Sequence, residues 1–362
     1  MGIDAENGVS VVIPCFNNAE CVSRAIRSAL DQTSPPLEVI VVNDGSSDNS
    51  EAVIRGFGER TTYIAQDNSG PSVARNAGVR CARGAYLAFL DADDYWRPDF
   101  LARCGSFLEE NPKAVAVSTG LAFHRLSGLT ETGPKLLRVS PPERPFIIKN
   151  FFEFWAEQDH IRTGSCVIRR DTLIEAGCQR PDLRLAEDLE LWGLLATYGS
   201  WGFVPDVLWD CDSERAAVTK GWTEKYIKRR RLCPTIDDWQ KRIIPRLNET
   251  DQAGFRRIRG RVAAMLAHNQ ILAGSYIDAR ATFRAASQDM PCNWFTGLLK
   301  WSARAGAAGW RTACVLVKLR ELQKTVMFPI RNPNRHRRLA PSAFTKTQPK
   351  QKDAAVRTPS FH

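Results

Sequence analysis

The first part of the chain alternates between short apolar runs and segments whose apolar residues recur at helical spacing. The runs end in turn-forming residues, which predicts strands, and the spaced segments predict helices. The predicted strands are Ser10–Pro14, Leu37–Val42, Thr61–Ala65 and Ala85–Leu90, and the helices between them are Asn17–Asp31, Ser50–Gly56 and Ser72–Cys81. Because strands and helices alternate through short connections, the pattern predicts an α/β fold whose sheet is wound with helices.

The same pattern continues to about residue 222 and then changes. The further predicted elements are helices over Phe100–Glu110 and Leu185–Tyr198, strands over Ala114–Ser118 and Thr163–Arg169, and a long loop over Leu129–Pro145. After Trp222, strand signals become few and Arg-rich helical patterns dominate. The sequence therefore predicts an α/β domain over residues 1–222, a helical region over 223–330, and a basic, disordered tail over 331–362.

Composition excludes several classes of protein. The chain is 43% hydrophobic and 25% charged, which is typical of a folded globular protein rather than a disordered one. Ten cysteines occur without any C-x-x-C spacing, so no zinc motif is present in the sequence. No apolar run is long enough to span a bilayer, and the first ten residues lack the apolar stretch of a secretory signal. The expected location is therefore cytoplasmic.

The net charge of +10 is concentrated in the C-terminal part of the chain. From Lys324 to the end, nine Lys or Arg residues stand against one acid, Asp353. This asymmetry indicates an anionic partner such as a membrane surface, a nucleic acid or an acidic polymer. A solvated basic surface without a partner is the alternative.

Carboxylates follow two of the predicted strands directly. Asp44 closes the second strand, where it could bind a base or ribose, or serve only as a turn and helix-cap residue. Asp91, Asp93 and Asp94 follow the fourth strand. Three carboxylates in four residues repel one another unless a cation neutralises them, and Mg²⁺ or Mn²⁺ prefers oxygen ligands of this kind. The sequence therefore predicts a divalent metal site here, with a solvated acidic turn as the alternative.

Four sequence blocks resemble the donor-binding half of a family 2 glycosyltransferase, whose nucleotide-sugar-binding fold is called GT-A. They begin at Val11 (VVIPCFN), Val41 (VVNDGSSD), Asn68 (NSGPSVARNAG) and Ala88 (AFLDADD), and a fifth block at Ala186 (AEDLELW) is similar to the family's acceptor-side helix. The resemblance covers roughly residues 9–210. It implies a mixed, mainly parallel sheet flanked by helices, with the helical region as a C-terminal appendage.

The resemblance implies roles for residues that bind the donor and the metal. Pro14 and Phe16 would border the nucleobase, and Asp44 would hydrogen-bond to it. Arg75, in the helix after Ser69-Gly70-Pro71, would favour a diphosphate through its charge and the helix N-terminus. Asp91 would contact the ribose or the shell of the metal.

Asp93 would be the direct metal ligand, and Asp94 would support it. Sugar transfer with inversion needs a carboxylate that takes a proton from the acceptor hydroxyl. The resemblance implies that Asp188 is this base. The alternative is that Glu187 and Asp188 only stabilise a helix N-terminus, where acids are favourable. Trp192 on the same helix is more often a packing residue than a sugar platform.

These observations predict a metal-dependent, inverting glycosyltransferase that moves a sugar from a nucleotide-diphospho-sugar to a hydroxyl of a glycan, lipid-linked or polysaccharide acceptor. An inactive nucleotide-sugar-binding protein of the same fold is the first alternative. A nucleic-acid-binding module is disfavoured because the basic region lacks a base-reading motif. A dinucleotide-dependent dehydrogenase is disfavoured because no G-x-G-x-x-G follows the first strand.

Residues 309–329 place apolar side chains among Lys and Arg. This composition predicts an amphipathic helix that lies on an anionic membrane, which would make the protein peripheral on the inner face of that membrane. A helix packed on the catalytic domain is the alternative.

Overall fold

The structure is a computed structural model that describes residues 8–124, 129–133, 144–212, 232–304 and 306–330. Ten strands are present in these ranges: β1 Val9–Cys15, β2 Glu38–Asp44, β3 Thr62–Gln66, β4 Tyr86–Phe89, β5 Asp94–Trp96, β6 Ala114–His124, β7 Thr130–Gly133, β8 Phe146–Ile148, β9 Cys166–Arg169 and β10 Ser200–Cys211. All ten belong to one sheet. The predicted helices and strands of the first hundred residues are present, and the first helix begins at Val22, five residues after its predicted start at Asn17.

The helices of the described residues are α1 Val22–Leu30, α2 Ser50–Arg55, α3 Pro71–Cys81, α4 Phe100–Glu110, α5 Phe151–Gln158, α6 Arg170–Glu175, α7 Glu187–Leu195, α8 Ile236–Gln240, α9 Gln252–Ala273, α10 Tyr276–Ala286, α11 Trp294–Arg304 and α12 Gly306–Ile330. The last five follow the final strand of the sheet. They confirm the predicted helical C-terminal region.

The strand order is β3-β2-β1-β4-β9-β6-β10-β5, with β7 beside β6 and β8 beside β10. The first four strands pair in parallel, and so do the two longest strands, β6 and β10. The short strands β5, β7, β8 and β9 pair antiparallel with their neighbours. The sheet is therefore mixed, as predicted, and its parallel N-terminal part brings the carboxyl ends of β1, β2 and β4 to one edge.

Alternate residues of the central strands feed two hydrophobic clusters, one on each face of the sheet. In β1, Val11 and Ile13 belong to a cluster with α1 and α4, whereas Val12 belongs to a cluster with α3, α5, α7 and the C-terminal helices. Both faces are covered, which explains why the strands read as continuous apolar runs rather than as alternating ones.

Two predicted segments differ from the structure in the type of element that they form. The segment Leu129–Pro145 is not a loop throughout, because Thr130–Gly133 forms β7 and pairs antiparallel with the end of β6. Its residues 134–143 lie outside the described residues. The predicted strand Thr163–Arg169 begins with a 3-10 turn over Thr163–Ser165, so that only Cys166–Arg169 pairs with the sheet. Polar turn residues and tertiary pairing set these limits, and neither is visible in local periodicity.

The predicted domain boundary at residues 222 and 223 lies outside the described residues, and so does the predicted tail over 331–362. A first compact unit ends at Val317, and a second begins at Lys318. In the first unit, α9 packs on α5 and α10, and the helical residues share the hydrophobic cluster of one face of the sheet. Among the described helices, none combines the length and apolar character that crossing a bilayer requires.

Candidate active site

Asp44 ends β2 and organises the loop that precedes α3. Its carboxylate is buried and accepts hydrogen bonds from the backbone N–H of Ser69 (2.8 Å) and of Gly70 (2.8 Å). The Gln66 amide donates a third bond at 2.7 Å. Gly70 has a φ of 92°, which favours glycine, and a Cβ there would meet Arg184. Asp44 therefore fixes the loop that opens α3, as the turn-and-cap alternative predicts, and one lone pair remains for a ligand.

Pro14 and Phe16 stand at the carboxyl end of β1. Pro14 is half-buried and lies opposite Val42 of β2, whereas Phe16 follows the strand and is 36% exposed. The ring of Phe16 is thus accessible at the same edge of the sheet as Asp44. The structure brings these predicted base-binding residues to one edge.

Three carboxylates gather where β4 ends and β5 begins. The backbone N–H of Asp94 donates to the carbonyl of Asp91 (3.0 Å), and the carbonyl of Asp93 accepts a bond from Arg24 (2.9 Å). Asp94 belongs to β5 and is buried. Burial, followed by the charges of Asp93 and Asp91, holds the pKa of Asp94 well above its usual range. The site thus concentrates negative charge that a bound cation would relieve. We call Asp44, Asp91, Asp93, Asp94 and the loop Asn68–Gly70 the carboxylate edge.

The carboxylate edge offers part of a metal site. Within the described ranges, no three His, Cys, Asp or Glu side chains are arranged to hold a metal ion by themselves. Asp94 is buried, and one oxygen of Asp91 already accepts a bond from Arg75. Mg²⁺ is commonly bound through one or two carboxylates together with substrate phosphates. The residues present fit this incomplete arrangement, in which Asp93 and Asp91 would supply the protein oxygens and a diphosphate would supply others.

Arg75 is a buried cation that links the carboxylate edge to the segment before α7. It is 5% exposed, and its guanidinium donates to Asp91 (2.6 Å) and to the side-chain oxygen of Gln179 (3.3 Å). Burial opposes its charge, but Asp91 and, at longer range, Glu187 and Asp188 raise the pKa of Arg75 above its ordinary value. Because Arg75 is already paired with Asp91, its contribution to diphosphate binding stays a prediction. The structure does show that it joins both halves of the site.

Asp188 lies in the first turn of α7 and is half-buried. Its Oδ1 accepts a hydrogen bond from the backbone N–H of Leu189 (2.8 Å), and among the described residues no side chain donates to its Oδ2. Its charge also contributes to the raised pKa of Arg162, whose main partner is Asp159. Trp192 on the same helix is fully buried, which confirms that it packs in the core. Asp188 therefore combines a nearby cation with a carboxylate oxygen that accepts no hydrogen bond from a described side chain, which suits a proton acceptor.

The start of α7 is held by helices from the C-terminal region. Ala186, which precedes Glu187, adopts a left-handed conformation with φ 61°, a strained state for a residue with a Cβ. Its carbonyl accepts a bond from the indole N–H of Trp239 in α8 (3.1 Å). Arg242 binds the fully buried Glu190 of α7 with bonds of 2.7 and 2.5 Å. We call residues 178–190 the α7 segment. Its geometry depends on residues that follow it by about fifty positions.

Sequence reasoning missed the residues that join the carboxylate edge to the α7 segment. Gln179 accepts from Arg75, and its backbone exchanges hydrogen bonds with the side chain of Asn76 (2.7 and 3.2 Å). Arg184 donates to the carbonyl of Ser69 (2.6 Å). Both residues lie in the stretch Cys178–Leu185, which none of the five family-like blocks covers. Their partners lie more than a hundred residues away and are not encoded in any local motif.

Comparison with known proteins places this geometry in context. Residues 10–177 match the model of the family described as Glycosyl transferase family 2. The chain is 40% identical to chondroitin synthase of Pasteurella multocida (strain Pm70) over 115 residues, which is 31% of this chain and 12% of that protein. It is 45% identical to the succinoglycan biosynthesis protein ExoO of Rhizobium meliloti (strain 1021) over 103 residues, 28% of this chain and 30% of that protein. The chain thus spans less than a third of each relative's length.

Among solved structures, S. aureus TarS 1–349 superposes with a TM-score of 0.58 at 16% identity, over 87% of this chain and 91% of that one. The same fragment in complex with UDP-GlcNAc gives a TM-score of 0.56. At this identity the similarity concerns the fold alone. It confirms the predicted GT-A-like architecture of a mixed sheet flanked by helices, with further helices towards the C-terminus.

Proposed function

We propose that this chain, whose residues 10–177 match the model of glycosyl transferase family 2, transfers a sugar from a nucleotide-diphospho-sugar to a hydroxyl group, with inversion at the anomeric carbon. The single observation that carries the proposal is the position of Arg75. The guanidinium of this buried cation donates a hydrogen bond to Asp91 at the carboxylate edge. Burial opposes its charge, but the charge of Asp91, followed by those of Glu187 and Asp188 on α7, raises the pKa of Arg75. A donor-binding group and a candidate base thus lie close to the same guanidinium.

The proposed step forms one bond and breaks another. The acceptor oxygen attacks the anomeric carbon, the bond from that carbon to the diphosphate oxygen breaks, and the nucleoside diphosphate leaves with the electron pair. Asp188 Oδ2 takes the proton of the acceptor hydroxyl, which makes that oxygen a better nucleophile. Attack on the face opposite the leaving group inverts the configuration.

The donor binds at the carboxylate edge in this proposal. Phe16 and Pro14 contact the base, and the remaining lone pair of Asp44 accepts a hydrogen bond from it. Arg75 and the N-terminus of α3 place positive potential near the diphosphate. Tight packing of the Asn68–Gly70 loop on Asp44 fixes these groups before the donor arrives, so that little ordering remains to be done on binding.

We also propose that the reaction depends on Mg²⁺ or Mn²⁺, held by Asp93 with Asp91, while the buried Asp94 supports the turn. A divalent cation would stabilise the negative charge that develops on the leaving diphosphate. With chelator in excess, turnover should fall to background and return with added Mn²⁺, and Asp93→Ala should remain inactive at ordinary metal concentrations. Full turnover in chelator would contradict the metal role without touching the assignment of Asp188.

A screen of nucleotide sugars tests the proposed function. UDP and UDP-GlcNAc, which are bound in TarS structures, are the first probes, with GDP-sugars as a comparison set. A donor that binds only the folded state stabilises it by RT ln(1 + [L]/Kd) and so raises the melting temperature. The expected result is a shift with one base class in the presence of Mn²⁺ that is lost in Asp44→Ala. No shift with any donor would contradict the proposal.

An inactive nucleotide-sugar-binding protein of the same fold is the alternative, and turnover separates the two. An enzyme should hydrolyse its bound donor slowly even without acceptor, and Asp188→Asn should abolish this hydrolysis without weakening binding. Tight binding with no turnover, in the presence of glycan or lipid-linked acceptors, would favour the alternative. We propose a glycan, polysaccharide or lipid-linked hydroxyl as the acceptor class, in keeping with the relatives named above.

A peripheral position at the inner face of a membrane is a further part of the proposal, motivated by the basic C-terminal residues. Within the predicted segment 309–329, the side chains of Trp310, Ala313, Cys314 and Val317 are buried, which agrees with the alternative of a packed helix. Val315 and Leu316 are exposed on the other side of α12. Membrane contact by this helix would use that second face, and vesicle co-sedimentation at low and high salt tests it.

A further inference from the structure

Helix α11 carries two tryptophan side chains on its exposed face. Trp294 is 43% exposed and Trp301 is 54% exposed. Seven residues are 20° short of two full helical turns, so both rings lie on one stripe, with the partly exposed Leu298 between them. Exposed apolar residues scattered singly are ordinary, but two large rings in register form a continuous apolar patch, which is typical of an interaction surface.

The opposite face of α11 is fixed to the protein. Phe295 and Leu299 are buried, and the ring of Phe295 lies 5.2 Å from that of His268 on α9. The helix is therefore anchored through its inner face and cannot turn its tryptophans inward without losing this packing. The exposed stripe is a fixed part of the molecular surface.

Cations flank the tryptophans, and α11 contains no acid. Lys300 precedes Trp301, and Arg304 follows it by three residues. Both are exposed and lie one helical turn apart, along one side of the aromatic stripe. The whole chain carries a net charge of +10, so a negatively charged partner is attracted from a distance as well as on contact.

We infer that Trp294, Leu298, Lys300, Trp301 and Arg304, which we call the α11 surface, dock on an anionic lipid bilayer. Indole rings are suited to the boundary between headgroups and acyl chains because they are apolar with one polar edge. Lys and Arg beside them reach the headgroup phosphates. A rigid helix that presents both features can hold the protein reversibly on a membrane surface without inserting across it. This inference rests on the membrane position proposed above and names α11 as the contact, but it does not depend on the proposed catalytic function.

Two other occupants fit the charge pattern less well. A tryptophan platform for sugar rings needs carboxylates or amides beside it to bind hydroxyl groups, whereas the neighbours here are Leu298, Lys300 and Arg304. A second copy of the chain would bring two sets of cations together across a two-fold interface, which is unfavourable. A bilayer with anionic headgroups satisfies both the apolar and the cationic residues.

Co-sedimentation of the full chain with vesicles tests the inference. We expect binding to vesicles that contain phosphatidylglycerol and much weaker binding to pure phosphatidylcholine at low salt. The double variant Trp294→Ala with Trp301→Ala should lower the partition coefficient at least tenfold, at low and high salt alike. Lys300→Glu with Arg304→Glu should lower it by at least about 25-fold at low salt, since each lost cation removes roughly fivefold and each new carboxylate repels the lipid. The loss should be far smaller at high salt.

Matched control variants distinguish docking through the α11 surface from nonspecific adsorption to the vesicles. Ile277→Ala removes an apolar side chain that is 85% exposed on α10, and Arg256→Glu with Arg284→Glu reverses two exposed cations on α9 and α10. We expect these controls to bind within about threefold of the unmodified chain, and all variants to keep their melting temperature. Partitioning that is unchanged in the tryptophan variant, or reduced equally in the controls, would overturn the inference. So would a dimer, seen by sedimentation velocity, that the tryptophan variant converts to monomers, or competition by soluble oligosaccharides.

Discussion

The two halves of the candidate active site are held in place by different kinds of contact. At the carboxylate edge, Asp44 binds the loop before α3, and its partners follow it by 22 to 26 residues. In the α7 segment, Ala186 and Glu190 bind Trp239 and Arg242, which follow by 53 and 52 residues. Arg180 likewise reaches the carbonyl of Asp238 at 2.7 Å, across 58 residues.

This difference separates a nearly self-contained half from a dependent one. The carboxylate edge is built by neighbouring β-α units of the parallel sheet, which place their strand ends together as a matter of topology. The α7 segment contains a strained alanine, Ala186, and a buried carboxylate, Glu190, and both have partners in the C-terminal region. The residues from α8 to Arg242 are therefore part of the architecture of the candidate site. Variants that act on one half and spare the other test this comparison.

The largest expected effect concerns the proposed base. Asp188→Asn keeps the shape of the side chain but removes its capacity to take a proton, so kcat should fall by about 10²–10⁴. The donor's Kd should change little, because the carboxylate edge is untouched. Steady-state kinetics together with a donor titration would measure both quantities. Retention of most of the activity would show that another group is the base.

Breaking the ion pair of α7 should cost stability. Arg242→Met leaves Glu190 buried without its cation, which typically costs about 3–5 kcal/mol. Urea unfolding monitored by fluorescence measures the free energy of unfolding. Arg257→Met is a matched control, since its pair with Glu157 is exposed on both sides and should be worth under about 1 kcal/mol. Equal losses in both variants would contradict the dependence of α7 on the C-terminal helices.

Acid should weaken the packing behind α7 through His160. This residue is buried among aromatic rings, its Nδ1 lies 2.9 Å from the hydroxyl of Ser118, and Trp201 donates to the same hydroxyl while packing on Trp192 of α7. Burial lowers the pKa of His160 from 6.5 to about 3, against the charge of Asp159. The folded state therefore excludes a proton that the unfolded state binds. The contribution of the neutral His160 to the free energy of unfolding is complete above pH 6.5 and is lost as the pH falls towards 3.

The measurement is the free energy of unfolding as a function of pH. Between pH 7.5 and 4.5 the histidine should account for a loss of about 2–3 kcal/mol, because each pH unit below 6.5 costs about 1.4 kcal/mol. His160→Gln cannot take up a proton in this range. Its stability should consequently show a shallower pH dependence, even if its stability at neutral pH is lower. Parallel profiles for the two proteins would contradict this role.

The smallest expected effect isolates the hydrogen bond that holds the start of α7. Trp239→Phe keeps an aromatic ring but removes the indole N–H that binds the carbonyl of Ala186, so kcat should fall about tenfold while the KM for the donor stays constant. Trp155→Phe makes the same change at another fully buried tryptophan and should leave kcat unaltered. Asp44→Asn should do the reverse and raise the KM for the donor. A rise in donor KM for Trp239→Phe would mean that the two halves are not separable.

Much of the fold followed from periodicity alone. The apolar run Val11–Ile13 and its counterparts are buried strands, and the acidic turn after β4 lies at the same edge as Asp44, as the α/β alternation required. The predicted elements were wrong where pairing across the sheet overrides local signals. Residues Thr130–Gly133 alternate little in polarity, yet they form β7 because they pair with β6. Arg75 was identified as a functional cation, yet its bond to Asp91 could not be predicted.

The sequence by itself determined the alternation of strands and helices, the positions of the carboxylates at strand ends, and the identity of the residues in the family's blocks. These features depend on neighbours within one β-α unit, where spacing along the chain fixes spacing in space. Only the tertiary structure decided that Arg75 pairs with Asp91 and Gln179, that Arg184 closes on the loop before α3, and that Trp239 and Arg242 hold the start of α7. The physical reason is that a buried charge or a strained backbone needs a hydrogen-bonding partner within about 3 Å. The packing of distant elements supplies that partner, and the local sequence does not specify which residue it is.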